Sequence, residues 1–513
     1  MRRSAIGQMT VIVAAGSIFA ALAVAMAIMM AYNKPIFAVL GALTAAGGVL
    51  ALSSNVAALC LLVAVACVDG ILKGMFPGLL AIAVKDILIG LMTVRWLWEG
   101  LNGAPRPSLS QPIALPVFLF AVYCVAQMFN SETGSVLVAL AGLRSWVGAL
   151  PLFFVIYDTF ATERAARAAG WFAVCVVSLT SIYGAVQQRI GFGHLYALSS
   201  GFDFYRKFGE GGTLRAASTF VAPGVFGLTA NLAILLAVGL GLSARNKATG
   251  LLVGSLGAIV CFVGVASSGS RAPLAGAVFG LAVFAVLSRR PQMLLVLVIL
   301  ALLAAWQSEN YFQELLANRW NQEKLGPDAL ANRALSPFLS GWDAMVANPL
   351  GTGVASGVGL GRAGSFVGEE SLMVTSSAAS FIENELGRAM KELGFPGAFL
   401  FLWLLWRALT GAFRGWRLAT GDARWMAGGA LATVAAAVPA LAVGQALYIG
   451  APAVLFWFAC AIACRSPQYA EQAEQAWRDR SEVDSRTAEE MAEWEKLQRR
   501  AGLAGTGAGL RRA

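Results

Sequence analysis

The chain is nearly devoid of histidine, with His194 the single one among 513 residues, which argues against histidine-ligated zinc and against Ser-His-Asp nucleophilic triads. His194 is assigned no catalytic role. Cysteine is scarce where it would count. All seven (Cys60, Cys67, Cys124, Cys175, Cys261, Cys460, Cys464) fall inside apolar runs, so neither disulfides nor a cysteine metal site is expected. Charge is the largest deficit: only 13% of residues are charged and 58% are hydrophobic, against roughly 25% charged in soluble domains. No phosphate-cradling glycine motif of the Walker type occurs and no G-x-G-x-x-G opens a βαβ unit, which disfavours nucleotide-driven pumps and sugar-nucleotide transferases.

What remains is apolar. The mean hydropathy is +0.69, and apolar runs recur near 10–32, 35–52, 56–72, 75–93, 112–129, 136–158, 169–188, 223–243, 249–267, 272–288, 291–306, 395–411, 425–446 and 448–464. The expectation is an all-α polytopic membrane protein with about 12–14 spanning helices. The first run lacks a small-residue cleavage site and reads as a spanning helix. A net charge of +10 then belongs to cytoplasmic loops, not to a nucleic-acid surface. With a cytoplasmic amino terminus, the inside loops carry Arg95, Arg106, Arg164, Arg167, Arg245, Lys247, Arg289, Arg290, Arg414, Arg417 and Arg424, whereas the short outside loops carry little beyond Lys34, Lys73 and Arg271. Both termini are then cytoplasmic.

Four parts follow. Residues 1–306 are transmembrane helices with a short outer loop near 190–222. Residues 307–393 form a large outer loop domain that ends in a helix, residues 394–464 return to the membrane, and residues 465–513 are a polar cytoplasmic tail, helical until its Gly-rich end.

Arginines near the outer face are the first chemistry candidates. Arg271, in S-S-G-S-R-A-P, lies where two spanning runs meet, and Arg215, in T-L-R-A-A-S-T-F-V-A-P-G, precedes another. Arg144 is more anomalous, since it falls about one third of the way into an apolar run, where it should face the bundle interior or a wet cavity. Interface snorkelling is the plainer alternative. A guanidinium keeps its charge and offers paired donors to phosphate oxygens, so arginines converging at one level would suit a lipid-linked diphosphate.

In the long hydrophilic stretch, Arg319 and Arg333 precede G-W-D-A-M-V-A-N-P-L-G-T-G. After a Ser-rich segment comes an amphipathic helix expected over 381–393, stopped by Gly394 with Pro396 beyond. Ser380 and Glu383 form an S-x-x-E capping box, so Glu383 has a purely structural reading as well.

The order S-G-S-R-A-P, N-P-L-G-T-G and E-N-x9-G-F-P-G, together with R-A-A-S-T-F-V-A-P-G-V-F-G, resembles the O-antigen ligase/polymerase family over about 144–405. The resemblance implies a membrane glycosyltransferase that uses undecaprenyl-diphosphate-linked glycans at the periplasmic face of the bacterial inner membrane. Ligases typically show His-Asn where this chain has Glu383-Asn384, a variant similar to exopolysaccharide or capsule polymerases. The implied roles are Glu383 as general base, Asn384 as the residue that orients Glu383 or a sugar hydroxyl, and Arg215, Arg271, Arg144 and Arg333 as diphosphate ligands. Metal-independent, inverting transfer with no cofactor follows.

The implied partners are the lipid-linked donor, the glycan acceptor and membrane lipids, with polysaccharide-export or chain-length proteins as further candidates and no nucleic acid. Within the enzyme class the alternative is a ligase acting on lipid A core or protein. A lipid-linked oligosaccharide flippase should show repeat symmetry between its halves, which the sequence lacks, and a non-catalytic assembly partner is the other class.

Overall fold

A computed structural model describes residues 48–49, 54–75, 79–133, 136–208, 214–289, 327–354, 356, 384–443, 447 and 450–500. Among these, regular structure is helical and no strand occurs. The helices are α1 (Asn55–Cys67), α2 (Asp69–Met75), α3 (Leu79–Leu101), α4 (Ala114–Gln127), α5 (Val136–Val147), α6 (Pro151–Thr159) and α7 (Glu163–Ile190). They continue with α8 (Pro223–Ser243), α9 (Lys247–Ser267), α10 (Arg271–Ser288), α11 (Pro327–Ala347), α12 (Glu385–Leu418), α13 (Gly421–Val443) and α14 (Ala451–Arg500).

This is an all-α membrane protein with several spans. Six helical stretches among the described residues are long and apolar enough to cross a bilayer, or seven if the bent pair α1 and α2 counts as one. The expected runs near 10–32, 35–52 and 291–306 lie outside the described residues, apart from residues 48 and 49, and so does most of the predicted outer loop before Asn384. Other runs fall short for visible reasons. Helix α3 carries Lys85, Asp86 and Arg95, α4 is 14 residues long, or about 21 Å against a hydrocarbon core of about 30 Å, and the apolar part of α14 ends at Arg465.

One run expected as a single span is sharply bent in the structure, and another, counted among the six as Val138–Thr159, contains a turn. Helices α1 and α2 meet at Val68 with a bend of 62°. The 136–158 run is divided by a turn between α5 and α6, where Pro151 takes the first helical turn, the position that tolerates its missing N–H.

Helix α8 is the centre. It is apolar on every side and buried along most of its length, packing against α9, α10, α13, α7 and α14. A helix apolar all round belongs inside a bundle. Its crossing with α13 is made by Gly239 and Gly429, where a Cβ on Gly239 would lie 2.6 Å from the Cα of Gly429. With lipid outside, close backbone approach of this kind replaces the hydrophobic effect as the source of helix association.

The polar tail does not begin at a break. Helix α14 continues through Arg465, which is buried and stacks over Tyr157 at 5.1 Å, and Tyr469 donates to the Phe160 carbonyl at 2.7 Å. Exposure starts at Glu471.

Candidate functional site

Helix α12 starts at Glu385. Asn384 is extended (φ −93°, ψ 150°), and its side-chain oxygen accepts from the Gly387 N–H at 2.6 Å, so it is the N-cap. The predicted start at 381 is therefore corrected. The Asx cap lies four residues beyond Ser380 in the sequence, and Asn384 is committed to its own helix. Glu383 lies outside the described residues.

The first two turns of α12 are charged and buried. Leu447 N–H lies 3.1 and 3.0 Å from the two carboxylate oxygens of Glu385. Arg388 and Glu392 are paired at 2.8 Å with side chains 1% and 0% exposed. Arg388 also donates to Ser145 Oγ at 2.5 Å and stacks over Trp146 at 4.6 Å, while Trp146 Nε1 donates to Glu392 Oε2 at 2.6 Å. These contacts bind α12 to α5. A cavity of about 10 Å³ beside Ser145, Trp146, Glu385 and Leu447 has room for about one water and none for a sugar.

The helix is then interrupted at Gly394, whose φ of 63° and ψ of −162° are open only to glycine at low cost. The N-P-L-G-T-G segment docks there. Phe395 N–H donates to the Pro349 carbonyl at 2.8 Å and Thr352 N–H to the Lys391 carbonyl at 3.0 Å. Gly351, at φ 92°, leaves a Cβ no room, since it would lie 2.5 Å from the Glu392 carbonyl. From α4, Gln127 donates to the Leu350 carbonyl at 2.6 Å, the Tyr123 hydroxyl lies 2.9 Å from that carbonyl and 3.0 Å from that of Leu393, and Asn130 donates to the Gly351 carbonyl at 3.0 Å. Two motifs separated in sequence thus form one hydrogen-bonded unit.

On another side of α5, Arg144 pairs with Asp86 of α3. Neighbouring Lys85 is buried against Asp69 at 2.9 Å, and Asp69 also holds Lys73 at 2.7 Å. Charges inside a membrane bundle are rare unless paired and are functional candidates by default. Reading the sequence missed Asp69, Lys85 and Asp86, although a charge inside an apolar run was signal enough.

The α1–α2 break meets the segment that carries Arg215. Thr219 hydroxyl donates to the Cys67 carbonyl, and its own carbonyl accepts from Gly70 and Ile71 at 2.9 and 3.2 Å, so groups freed by the bend are satisfied. Ser218 sits at φ 53°, an uncommon conformation for a side-chain-bearing residue. Gln187 clamps it by exchanging hydrogen bonds with its N–H (2.6 Å) and carbonyl (3.2 Å). Below the clamp, Tyr205 donates to the Phe220 carbonyl at 2.5 Å, and burial pushes its phenol up. Arg215 Nη2 donates to Ser270 Oγ at 2.8 Å, and Ser270 is the residue before Arg271, the first residue of α10.

Of the predicted residues, the structure therefore joins Arg215 to the N-cap of α10 and joins α5, which carries Arg144, to the first turns of α12. The side chains of Arg271 and Arg333 lie outside the described ones. Among the described residues no group of three or more His, Cys, Asp or Glu side chains could hold a metal. No protein-family model matches the chain, and no curated protein matches it.

Proposed function

We propose that the chain is a membrane glycosyltransferase of the O-antigen ligase/polymerase type that joins undecaprenyl-diphosphate-linked repeat units into a polysaccharide. The observation that carries this reading is the interlock of N-P-L-G-T-G with the kinked helix of E-N-x9-G-F-P-G, tied through Arg388 and Glu392 to the helix bearing Arg144. A motif order that is weak in sequence gains support when its members pack together.

In this reading the Glu383 carboxylate, ionised at neutral pH with an ordinary pKa of about 4.3, takes the proton of an acceptor hydroxyl. That oxygen bonds to the anomeric carbon of the donor, whose bond to the diphosphate breaks, inverting the centre. Negative charge grows on the departing diphosphate and is met by Arg215 and Arg271, with Arg144 and Arg333. Asn384 serves by fixing the helix start beside Glu383 in sequence. The site faces the periplasm, both termini face the cytoplasm, and no metal is required.

Purified protein incubated with a lipid-linked repeat unit tests the reading. Lengthening of the glycan supports it; transfer to lipid A core or to protein favours a ligase, and no transfer rejects enzyme activity on this substrate class.

A further inference from the structure

Two of the ion pairs that α3 makes, through Lys85 and through Asp86, differ in kind. Lys85 and Asp69 are 3% and 10% exposed, so removing Asp69 would strand a buried Lys85, and Asp69 is held by Lys73 as well. Arg144 and Asp86 are each 26% exposed. The single hydrogen bond between them runs from Nε to Oδ2, and Oδ1 of Asp86 is buried without a hydrogen-bond partner among the described residues. One pair is locked; the other is open to exchange.

We infer that Asp86 is the internal counter-ion of Arg144, an anion that holds the guanidinium in the empty site and is displaced from it by the diphosphate of the donor. This rests on the proposed function and adds the regulation of its diphosphate site. A guanidinium that commits one edge nitrogen to a carboxylate has its paired donors better matched by a phosphate. After the exchange Asp86 keeps the charge of its chain neighbour Lys85, which acts on it already. The cluster holds Lys73, Lys85 and Arg144 against Asp69 and Asp86, so a cationic excess is present to receive the ligand. Competition from Asp86 lowers the fraction of molecules ready to bind, and the apparent affinity falls with that fraction.

The test is binding of inorganic pyrophosphate and of farnesyl diphosphate to purified full-length protein at fixed low ionic strength. Asp86→Asn is expected to bind farnesyl diphosphate about two- to five-fold tighter than wild type, the range that a partly exposed pair supports. Arg144→Ala should bind more weakly, and adding Asp86→Asn to it should restore nothing. Asp86→Ser, a smaller neutral side chain, carries the same expectation. Tightening for farnesyl diphosphate but not pyrophosphate identifies a prenyl-linked ligand; tightening for both identifies the diphosphate alone as what displaces Asp86. Unchanged or weaker binding in the Asp86 variants, with wild type binding normally, overturns this inference and leaves the proposed function standing. No diphosphate binding by any variant, with no glycan transfer, overturns both.

Discussion

Arg388 and Glu392 form an ion pair one helical turn apart, 2.8 Å long and closed off from solvent, with Trp146 donating to the same carboxylate. Because desolvation of two charges is offset only when both are present and hydrogen-bonded, this pair is a point where single substitutions are severe. Arg388→Ala or Glu392→Ala is expected to cost about 3–5 kcal/mol, whereas a double change to Met and Leu costs less than either. Thermal unfolding of the purified protein in detergent measures all three.

The cap of α12 makes a smaller prediction. Asn384→Ala removes the acceptor for the Gly387 N–H and should cost about 1 kcal/mol, while Asn384→Asp and Asn384→Ser retain most of it. If all three lose polymer extension equally despite different stabilities, Asn384 acts on the reaction by more than capping.

Gly394→Ala should be worse than its size suggests. The new Cβ would lie 2.3 Å from the Pro349 carbonyl at a φ of 63°, so the 348–354 segment must lift from the kink. A loss above about 1 kcal/mol is expected. Faster proteolysis within 348–354 would locate it; an unchanged digest would mean that the segment does not rely on the kink.

Tyr205 gives the pH dependence. Burial raises its phenol above the ordinary value of about 10, so the neutral form is favoured in the folded protein. Its contribution is full below about pH 10 and is lost as pH rises further. Tyr205→Phe lowers stability at neutral pH by leaving the Phe220 carbonyl without this donor, and it flattens the alkaline decline. An alkaline slope unchanged by the substitution would point to other groups.

How far the sequence could be read depended on where the signal was local. Helices α8 and α9 match runs 223–243 and 249–267 almost residue for residue, because uniform apolarity ends at Ala-Pro before one helix and at Asn-Lys before the other. The stop at Gly394 was equally legible, since glycine and proline act on the backbone at their own positions. The break at Val68 was not, because it is held by Thr219, distant in sequence. Nor was the pairing of Asp69 with Lys85, which hydropathy averaging hides. The spacing of Arg388 and Glu392 was visible as an i,i+4 pair, but its burial depends on Ser145 and Trp146 from another helix. Even the helix start was displaced, because Asn384 caps α12 with its own side chain.

The central claim is that one acidic side chain and a group of arginines elongate a lipid-linked glycan. Its most direct test is a chain-length assay of purified wild type, Glu383→Gln and Arg271→Ala on an undecaprenyl-diphosphate-linked repeat unit, with and without chelator. The account predicts extension by wild type in both conditions and none by either variant, with all three proteins equally inserted and folded. Near-normal chain length from Glu383→Gln, or loss of wild-type activity on chelation, would contradict it.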